Sequence, residues 1–209
     1  LDAQARAVVF SAGAALRIPG QVLPNDARQM TVLCVARADS PSSIGLFSIR
    51  NAARPLVQLD VDEHARARFI VRDSQSRTLA ATTPCLLNAQ TIFGGILSQR
   101  DEATGEATVL FGTNRESGPP AAFASPLIDE GAWIGALGVS GLKPYFWDGR
   151  ISEILVYDRA LDEKEVDGVV ACLTAEHQLQ PPVPPSFADT WNVLSMKRAD
   201  GPVAKEMET

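Results

Sequence analysis

The chain has 209 residues, 45% of them hydrophobic, and it carries a net charge of −6 at pH 7. This length and composition suit one domain with a sizeable core plus a short appendage. The negative charge argues against nucleic acid as a main partner, because phosphate binding needs a cationic surface. The sequence contains no run of about 18 apolar residues, so it predicts no membrane span.

Short runs of β-branched and aromatic residues follow one another along most of the chain, with turn signals about every eight to twelve residues. The predicted strands are 7–11, 15–18, 30–37, 44–50, 56–61, 67–71, 91–97, 107–111, 133–137 and 151–158. Two pairs of strands are predicted hairpins, one around the acidic turn at 62–64 and one around 101–105. Strands do not alternate with helical segments, so the pattern predicts an all-β sandwich or barrel.

The three cysteines do not have the spacing of a redox or metal motif. Cys34 lies in an apolar strand, and we expect it to be a small core residue. The sequence leaves open whether Cys85 and Cys172 form a disulfide.

The hydrophobic period changes from two to that of a helix after the last strand. Asp162 and Glu165 have the spacing of a capping box, and Pro181 ends the pattern. One helical face is formed by the apolar residues Val166, Val169, Val170 and Leu173. We therefore predict a helix at 163–176 that packs this face on the sandwich.

The segment that leads into this helix carries a family resemblance. It reads Phe146 to Gly149, then Ile151, Glu153, Ile154, Val156, Tyr157, Arg159, Ala160 and Leu161, and then the acidic helix start DEKEV. This order resembles the C-terminal signature of the laminin-G-like, concanavalin A-like jelly-roll domains. The resemblance implies a two-sheet antiparallel jelly-roll sandwich at 1–180, with one short C-terminal helix.

Residues 181–209 differ in character from the preceding domain. They begin with PPVPPS, which is typical of a polyproline II connector, and they include Trp191 and Leu194. We predict an extended tail that docks on a protein partner through these two apolar residues. The alternative is that the tail folds back on its own domain, with Trp191 covering an apolar patch.

Glycoside hydrolases of this fold use two carboxylates in one cleft. Their Glu-x-Asp-x-x-Glu pattern is absent from the sequence. Asp60 and Asp62 have same-face spacing, but we expect them to meet water at the end of a hairpin strand. We expect Glu153 to accept backbone N–H bonds, and His64 and His177 to be solvent-exposed. The sequence therefore predicts no catalytic residue and no enzyme.

Calcium is the one cofactor that the sequence leaves open. The resemblance implies it, because calcium is common among laminin-G relatives, and a site needs several oxygens from separate loops. The candidate ligands are Asp60, Asp62, Asp129 and Asp148. None lies in a loop with calcium-binding spacing, so the alternative is that they are solvated turn acids.

Three consecutive aromatic residues, Tyr145, Phe146 and Trp147, are the best candidates for a binding surface within the domain. They cannot all face one way on a strand, and we expect Phe146 to pack inside. Tyr145 and Trp147 would then be available to a sugar ring or a protein surface.

The sequence favours a non-catalytic recognition or assembly module of an extracellular, cell-surface or virion protein. The alternative is a carbohydrate-binding, lectin-like module that takes a glycan. A glycoside hydrolase of the same fold ranks third.

Overall fold

The computed structural model describes residues 7–11, 13–24, 26–41, 44–50, 55–126, 131–137 and 146–180. These residues form a sandwich of two antiparallel sheets with one helix, as the sequence predicts. The first sheet contains β1 (Val8–Phe10), β3 (Met30–Ala38), β8 (Thr91–Gln99), β9 (Thr104–Phe111), β10 (Asn114–Ser117), β11 (Ala121–Ala122) and β13 (Gly149–Tyr157). The second contains β2 (Leu16–Ile18), β4 (Ile44–Arg50), β5 (Pro55–Val61), β6 (Arg66–Arg72), β7 (Thr78–Pro84) and β12 (Ala132–Ile134).

The first sheet has the strand order β1-β13-β3-β8-β9-β10, with β11 beside β9, and the second has the order β2-β12-β4-β5-β6-β7. Both predicted hairpins are present as the pairs β5–β6 and β8–β9. The strand β7 was not predicted, because its small residues TLAATTP give a weak strand signal. Its burial nevertheless alternates strictly between the core and solvent.

Apolar side chains from the two inner faces fill the space between the sheets. Phe93 packs edge-on against Phe111 and Trp147, with ring centroids 5.2 and 5.8 Å away. The sheets are in close contact at Gly95, where an added Cβ would lie 2.0 Å from Cδ2 of Phe69. Only glycine is accommodated there without a shift of that ring.

The helix α1 (Glu163–Glu176) packs on the outer face of the first sheet. The predicted capping box is confirmed: the Asp162 carboxylate accepts the Glu165 N–H, and the Glu165 carboxylate accepts the Asp162 N–H. A second apolar cluster joins the sheet residues Leu33, Val35, Ile92, Ile96 and Leu110 to the helix-side residues Leu161, Val166, Val170 and Leu173. The predicted helical face is therefore confirmed, although Val169 is only half-buried.

The cysteines are free thiols. Cys34 is a core residue, as expected, and burial raises the pKa of its thiol. Cys85 is buried, which raises the pKa of its thiol to about 11, whereas Cys172 is exposed on the helix. A Cys85–Cys172 disulfide is therefore not formed.

The helix of the described residues lacks the length and apolar character needed to cross a membrane. The predicted tail at 181–209 lies outside those residues, together with its proposed anchors Trp191 and Leu194. Its docking on a protein partner stays a prediction.

Candidate functional site

The aromatic candidates are placed differently from the prediction. Trp147 is fully buried between the sheets, and its backbone N–H donates to the Gly135 carbonyl at 2.8 Å. Phe146, expected inside, is half-exposed instead. The Trp147 ring therefore forms part of the core and is not presented at the surface. Tyr145 lies outside the described residues.

The calcium candidates are placed differently too. Asp60 is 1% exposed, and Arg68 binds its carboxylate in a bidentate manner, with Nε 2.7 Å and Nη2 3.0 Å from the two oxygens. Asp62 is 3% exposed and accepts the backbone N–H groups of His64 and Arg66. Both acids are thus satisfied within the protein, and the expectation that they meet water is wrong.

The proposed calcium ligands do not converge. Asp148 is exposed on the approach to β13, in the other sheet from Asp60. Among the described residues, Asp60, Asp62 and Asp148 do not form a group whose oxygens could share a metal ion. Asp129 lies outside that part of the chain. The geometry therefore gives no support to a calcium site at these aspartates.

Two further residues considered in the sequence, Glu153 and His177, form a hydrogen bond with each other. His177 was expected in solvent, but its side chain is only 9% exposed, and Nε2 lies 2.8 Å from Oε2 of Glu153. Glu153 was expected to accept backbone N–H bonds, and it shares a hydrogen bond with this imidazole instead. His64, in contrast, is exposed in its turn, as predicted.

The outer face of the second sheet carries a set of ordered polar side chains. Side chains alternate along β6, so Arg68 and Arg72 project away from the core while Phe69 and Val71 point into it. The neighbouring strands add polar residues on the same side, because Arg68 is paired with Asp60 on β5 and with Thr82 on β7. We call Gln58, Asp60, Arg68, Arg72 and Thr82 the polar face.

Buried partners hold both guanidinium groups of the polar face. Asp60 engages the Nε and Nη2 atoms of Arg68, yet that side chain remains 27% exposed. Arg72 donates from Nη1 to the amide oxygen of Gln58 at 2.5 Å. Burial raises the pKa of Asp60, and the Arg68 guanidinium opposes this shift. With two guanidinium groups and one carboxylate, the polar face is locally positive on a chain whose net charge is negative.

An aromatic side chain lies further along the same outer face. Trp133 on β12 is half-exposed, with the Arg17 guanidinium 5.7 Å from its ring centroid. The strand register places Trp133 in line with Ser48 on β4 and with Gln58 on β5. Gln58 is therefore two strand spacings, or about 10 Å, from Trp133. Between them, the Ser48 hydroxyl donates to the Ala136 carbonyl, so the chain after β12 crosses the sheet at this point.

The polar face was not predicted, although the sequence contains part of its signal. The run RARFIVR places arginines at 66, 68 and 72 in alternation with apolar residues, which indicates one charged side of a strand. Its acidic partner Asp60 is identified only once the register between β5 and β6 is known.

No protein-family model matches the chain, and no curated protein sequence matches it. Solved structures do match it in fold. The CBM40 of the IT-sialidase from Ruminococcus gnavus has a TM-score of 0.56 and 14% identity over 70% of this chain and 84% of that chain. The same CBM40 has been solved bound to α2,3- and α2,6-sialyllactose, and these two structures match with TM-scores of 0.54 and 0.55.

Two further neighbours share the fold. A native heptameric SAP-like pentraxin from Limulus polyphemus has a TM-score of 0.51 and 16% identity, over 75% of this chain and 73% of that chain. A Trypanosoma rangeli sialidase also matches with a TM-score of 0.51 and 16% identity, over 72% of this chain but only 23% of its own. Identities this low establish the concanavalin A-like jelly-roll sandwich and nothing finer. The laminin-G assignment stays a prediction.

Proposed function

We propose that this domain is a carbohydrate-binding, lectin-like module and that the polar face is its binding surface. The sequence favoured an assembly module and kept the lectin-like module as the alternative. The structural neighbours support that alternative better, because they include a sialidase CBM40 in complex with sialyllactose. Sialyllactose is an acidic sugar, and the polar face has the charge to meet one.

The observation that carries the proposal is the fixed orientation of Arg68 and Arg72. A guanidinium group offers parallel N–H donors that match a carboxylate, and Arg is the side chain best suited to such recognition. Asp60 and Gln58 already immobilise the two side chains. Binding therefore loses less side-chain entropy than it would with free surface arginines.

Trp133 supports the same surface from the adjoining strands. A half-exposed indole presents an apolar ring on which the C–H face of a sugar can stack. Arg72 lies on β6, three strand spacings or about 14 Å from β12, and the segment held by Ser48 lies between them. A glycan that reaches both Arg72 and Trp133 must therefore be an oligosaccharide. We therefore expect the acidic residue of the glycan near Arg72 and a neutral residue toward Trp133.

The proposed module binds its glycan without cleaving it. The one carboxylate of the polar face, Asp60, is engaged by Arg68 through both oxygens. The neighbouring Asp62 is bound by Arg66, so neither carboxylate is free to act as a catalytic group. A glycan-binding module of this kind fits the extracellular or cell-surface setting that the sequence suggested.

The test is calorimetric titration of the full chain with sialyllactose and with lactose as the neutral control. We expect sialyllactose to bind and lactose to bind at least tenfold more weakly. Arg72→Gln should weaken sialyllactose binding about tenfold or more, because it removes a charge-assisted donor. Arg100→Gln is the matched control, since Arg100 is exposed in the turn between β8 and β9, away from the polar face. Binding that is equal for both sugars, or unchanged in Arg72→Gln, would contradict the proposal.

A further inference from the structure

We propose that Glu153, Glu176 and His177 form a binding site for a divalent transition metal ion, with Zn²⁺ as the ion to test first. One ligand atom from each residue lies within 4.8 Å of the other two. This group lies at the junction of β13 and the C-terminal end of α1, on the sheet opposite the polar face. The inference is therefore independent of the proposed glycan site.

A β-bulge directs Glu153 to this junction. Ile151 pairs with Ala36, whose side chain belongs to the core between the sheets. Register shifts at Ser152, so Glu153 pairs with Val35, which belongs to the cluster beneath the helix. In a regular strand, residues 151 and 153 would share one face. The bulge instead brings the carboxylate out of the core and to the helix side.

The C-terminal end of α1 fixes the backbone positions of Glu176 and His177. Gln178 has a φ of +52°, and its N–H donates to the Ala175 carbonyl. The Leu179 N–H donates to the Thr174 carbonyl at 3.0 Å, which completes a Schellman motif. His177 is the C-cap residue of this motif, so its ring position is set by the helix end rather than by a mobile loop.

Burial and charge at the junction favour a cation. His177 is nearly buried and Glu153 is about one-third exposed, whereas Glu176 lies on the solvent side. Two carboxylates thus converge on one imidazole at a helix C-terminus, which already carries a partial negative charge. The last turn, 173–176, contains no Lys or Arg to offset them. A bound dication would neutralise this concentration of negative charge.

The donor set selects the class of metal. Imidazole nitrogen suits zinc and its neighbours in the first transition row, whereas calcium and magnesium prefer oxygen ligands alone. Three protein ligands leave a fourth position open for water in a tetrahedral zinc site. Zn–N and Zn–O bonds of about 2.0–2.2 Å require the ligand atoms to lie about 3.3 Å apart, so small side-chain adjustments suffice. On binding, the ion replaces the proton now shared by His177 Nε2 and Glu153 Oε2.

A simple ion pair between His177 and Glu153 is the competing interpretation. It would stabilise the helix end without any need for Glu176, whereas a metal site requires all three residues. The role of Glu176 therefore distinguishes the two, and because this side chain is exposed, Glu176→Gln should leave the fold intact.

The experiment measures Zn²⁺ binding to the full, untagged chain by equilibrium dialysis and thermal denaturation. A Cys172→Ser background removes the exposed thiol, which could bind zinc by itself. We expect one zinc per chain and a rise in Tm of about 5–10 °C once free zinc reaches about a hundred times its Kd. Replacement with Co²⁺ should give visible absorption bands of a tetrahedral ion.

Glu176→Gln and His177→Gln should each weaken zinc binding at least tenfold and abolish the rise in Tm. His64→Gln is the matched control, because the exposed pair of His64 and Glu63 offers the same side chains without a third ligand. The proposal is overturned if no stoichiometric zinc binds, if Glu176→Gln binds as tightly as its parent, or if His64→Gln removes the site.

Discussion

Two turns of the second sheet are closed by the same pair of residues, an aspartate and an arginine four positions later. Asp62 with Arg66 closes the turn between β5 and β6, and Asp73 with Arg77 closes the turn between β6 and β7. Asp73 is fully buried and accepts the N–H groups of Gln75, Arg77 and Ala124 as well as Nε of Arg77. Its carboxylate thus joins the turn to a segment fifty residues away.

Asp73→Ala should lower the free energy of unfolding by about 3 kcal/mol, because it leaves several buried donors without an acceptor. Urea denaturation with a full baseline on both sides measures the change. Asp101→Ala is the control, since Asp101 accepts a comparable turn bond from the Ala103 N–H at an exposed site. The loss should be clearly smaller there, and equal losses would mean that burial of Asp73 adds nothing.

The same carboxylates predict how stability depends on pH. Burial tends to raise the pKa of Asp73 and Asp62, but hydrogen bonds from arginine and from backbone N–H groups outweigh it and hold both pKa values below the usual range. A carboxyl with a lowered folded-state pKa stabilises the fold above its unfolded pKa, and this stability is lost as pH falls toward the folded pKa. We expect Tm to fall steadily below about pH 4. Asp73→Asn should flatten that slope, and an unchanged slope would contradict the assignment.

At the residue scale, the sequence contains the spacing of these side-chain pairs but does not predict their burial. The spacing of the two turns, DEHAR and DSQSR, is visible, but burial of their aspartates depends on residues far along the chain. Asp60 was taken for a solvated acid because its partner Arg68 lies across a strand pair. His177 was taken for an exposed residue because a β-bulge is not visible in the pattern of β13.

Secondary-structure elements were predicted best where local signals agreed. The helix α1 was predicted with its observed bounds, since its capping box, hydrophobic period and following prolines all point to the same ends. The strand β7 was missed because alternation of small residues is weak when considered alone. The polar face required register between three strands, which no single segment contains.

Val170→Asp should lower the free energy of unfolding by at least about 3 kcal/mol. The change removes an apolar side chain from the cluster beneath α1 and places a charge among Leu33, Ile92 and their neighbours. Thermal denaturation followed by circular dichroism measures the effect. A Tm equal to that of the parent would show that the helix contributes nothing to the sandwich.

Gly168→Ala should act in the opposite direction on the same helix. Gly168 lies in the helix interior, and an added Cβ would meet no atom within 4 Å. Alanine is favoured over glycine there by about 1 kcal/mol, so Tm should rise. A fall in Tm would mean that the helix is not present in solution as described.

For the molecule as a whole, Gly95 is one of the positions where the two sheets are in close contact. Gly95→Ala should lower the free energy of unfolding by about 2 kcal/mol, because a methyl group overlaps the Phe69 ring. Phe69→Leu in the same chain should recover part of that loss, which a double-mutant cycle measures as a coupling between the two positions. Purely additive effects would show that the two sheets do not meet there.

The bulge at Ser152 has a consequence for the lengths of chain that this fold tolerates. Because Ser152 is the extra residue between two paired positions, its removal would leave Ile151 and Glu153 as neighbours on opposite faces of a regular strand. Ile154 and Val156 would still face the core, and Leu155 would still face the helix. A deletion at Leu155 has no bulge to absorb it, so it would exchange the two faces of the residues on one side of it and should be far more damaging. In natural variants, this strand should therefore vary in length at position 152 before it does so elsewhere.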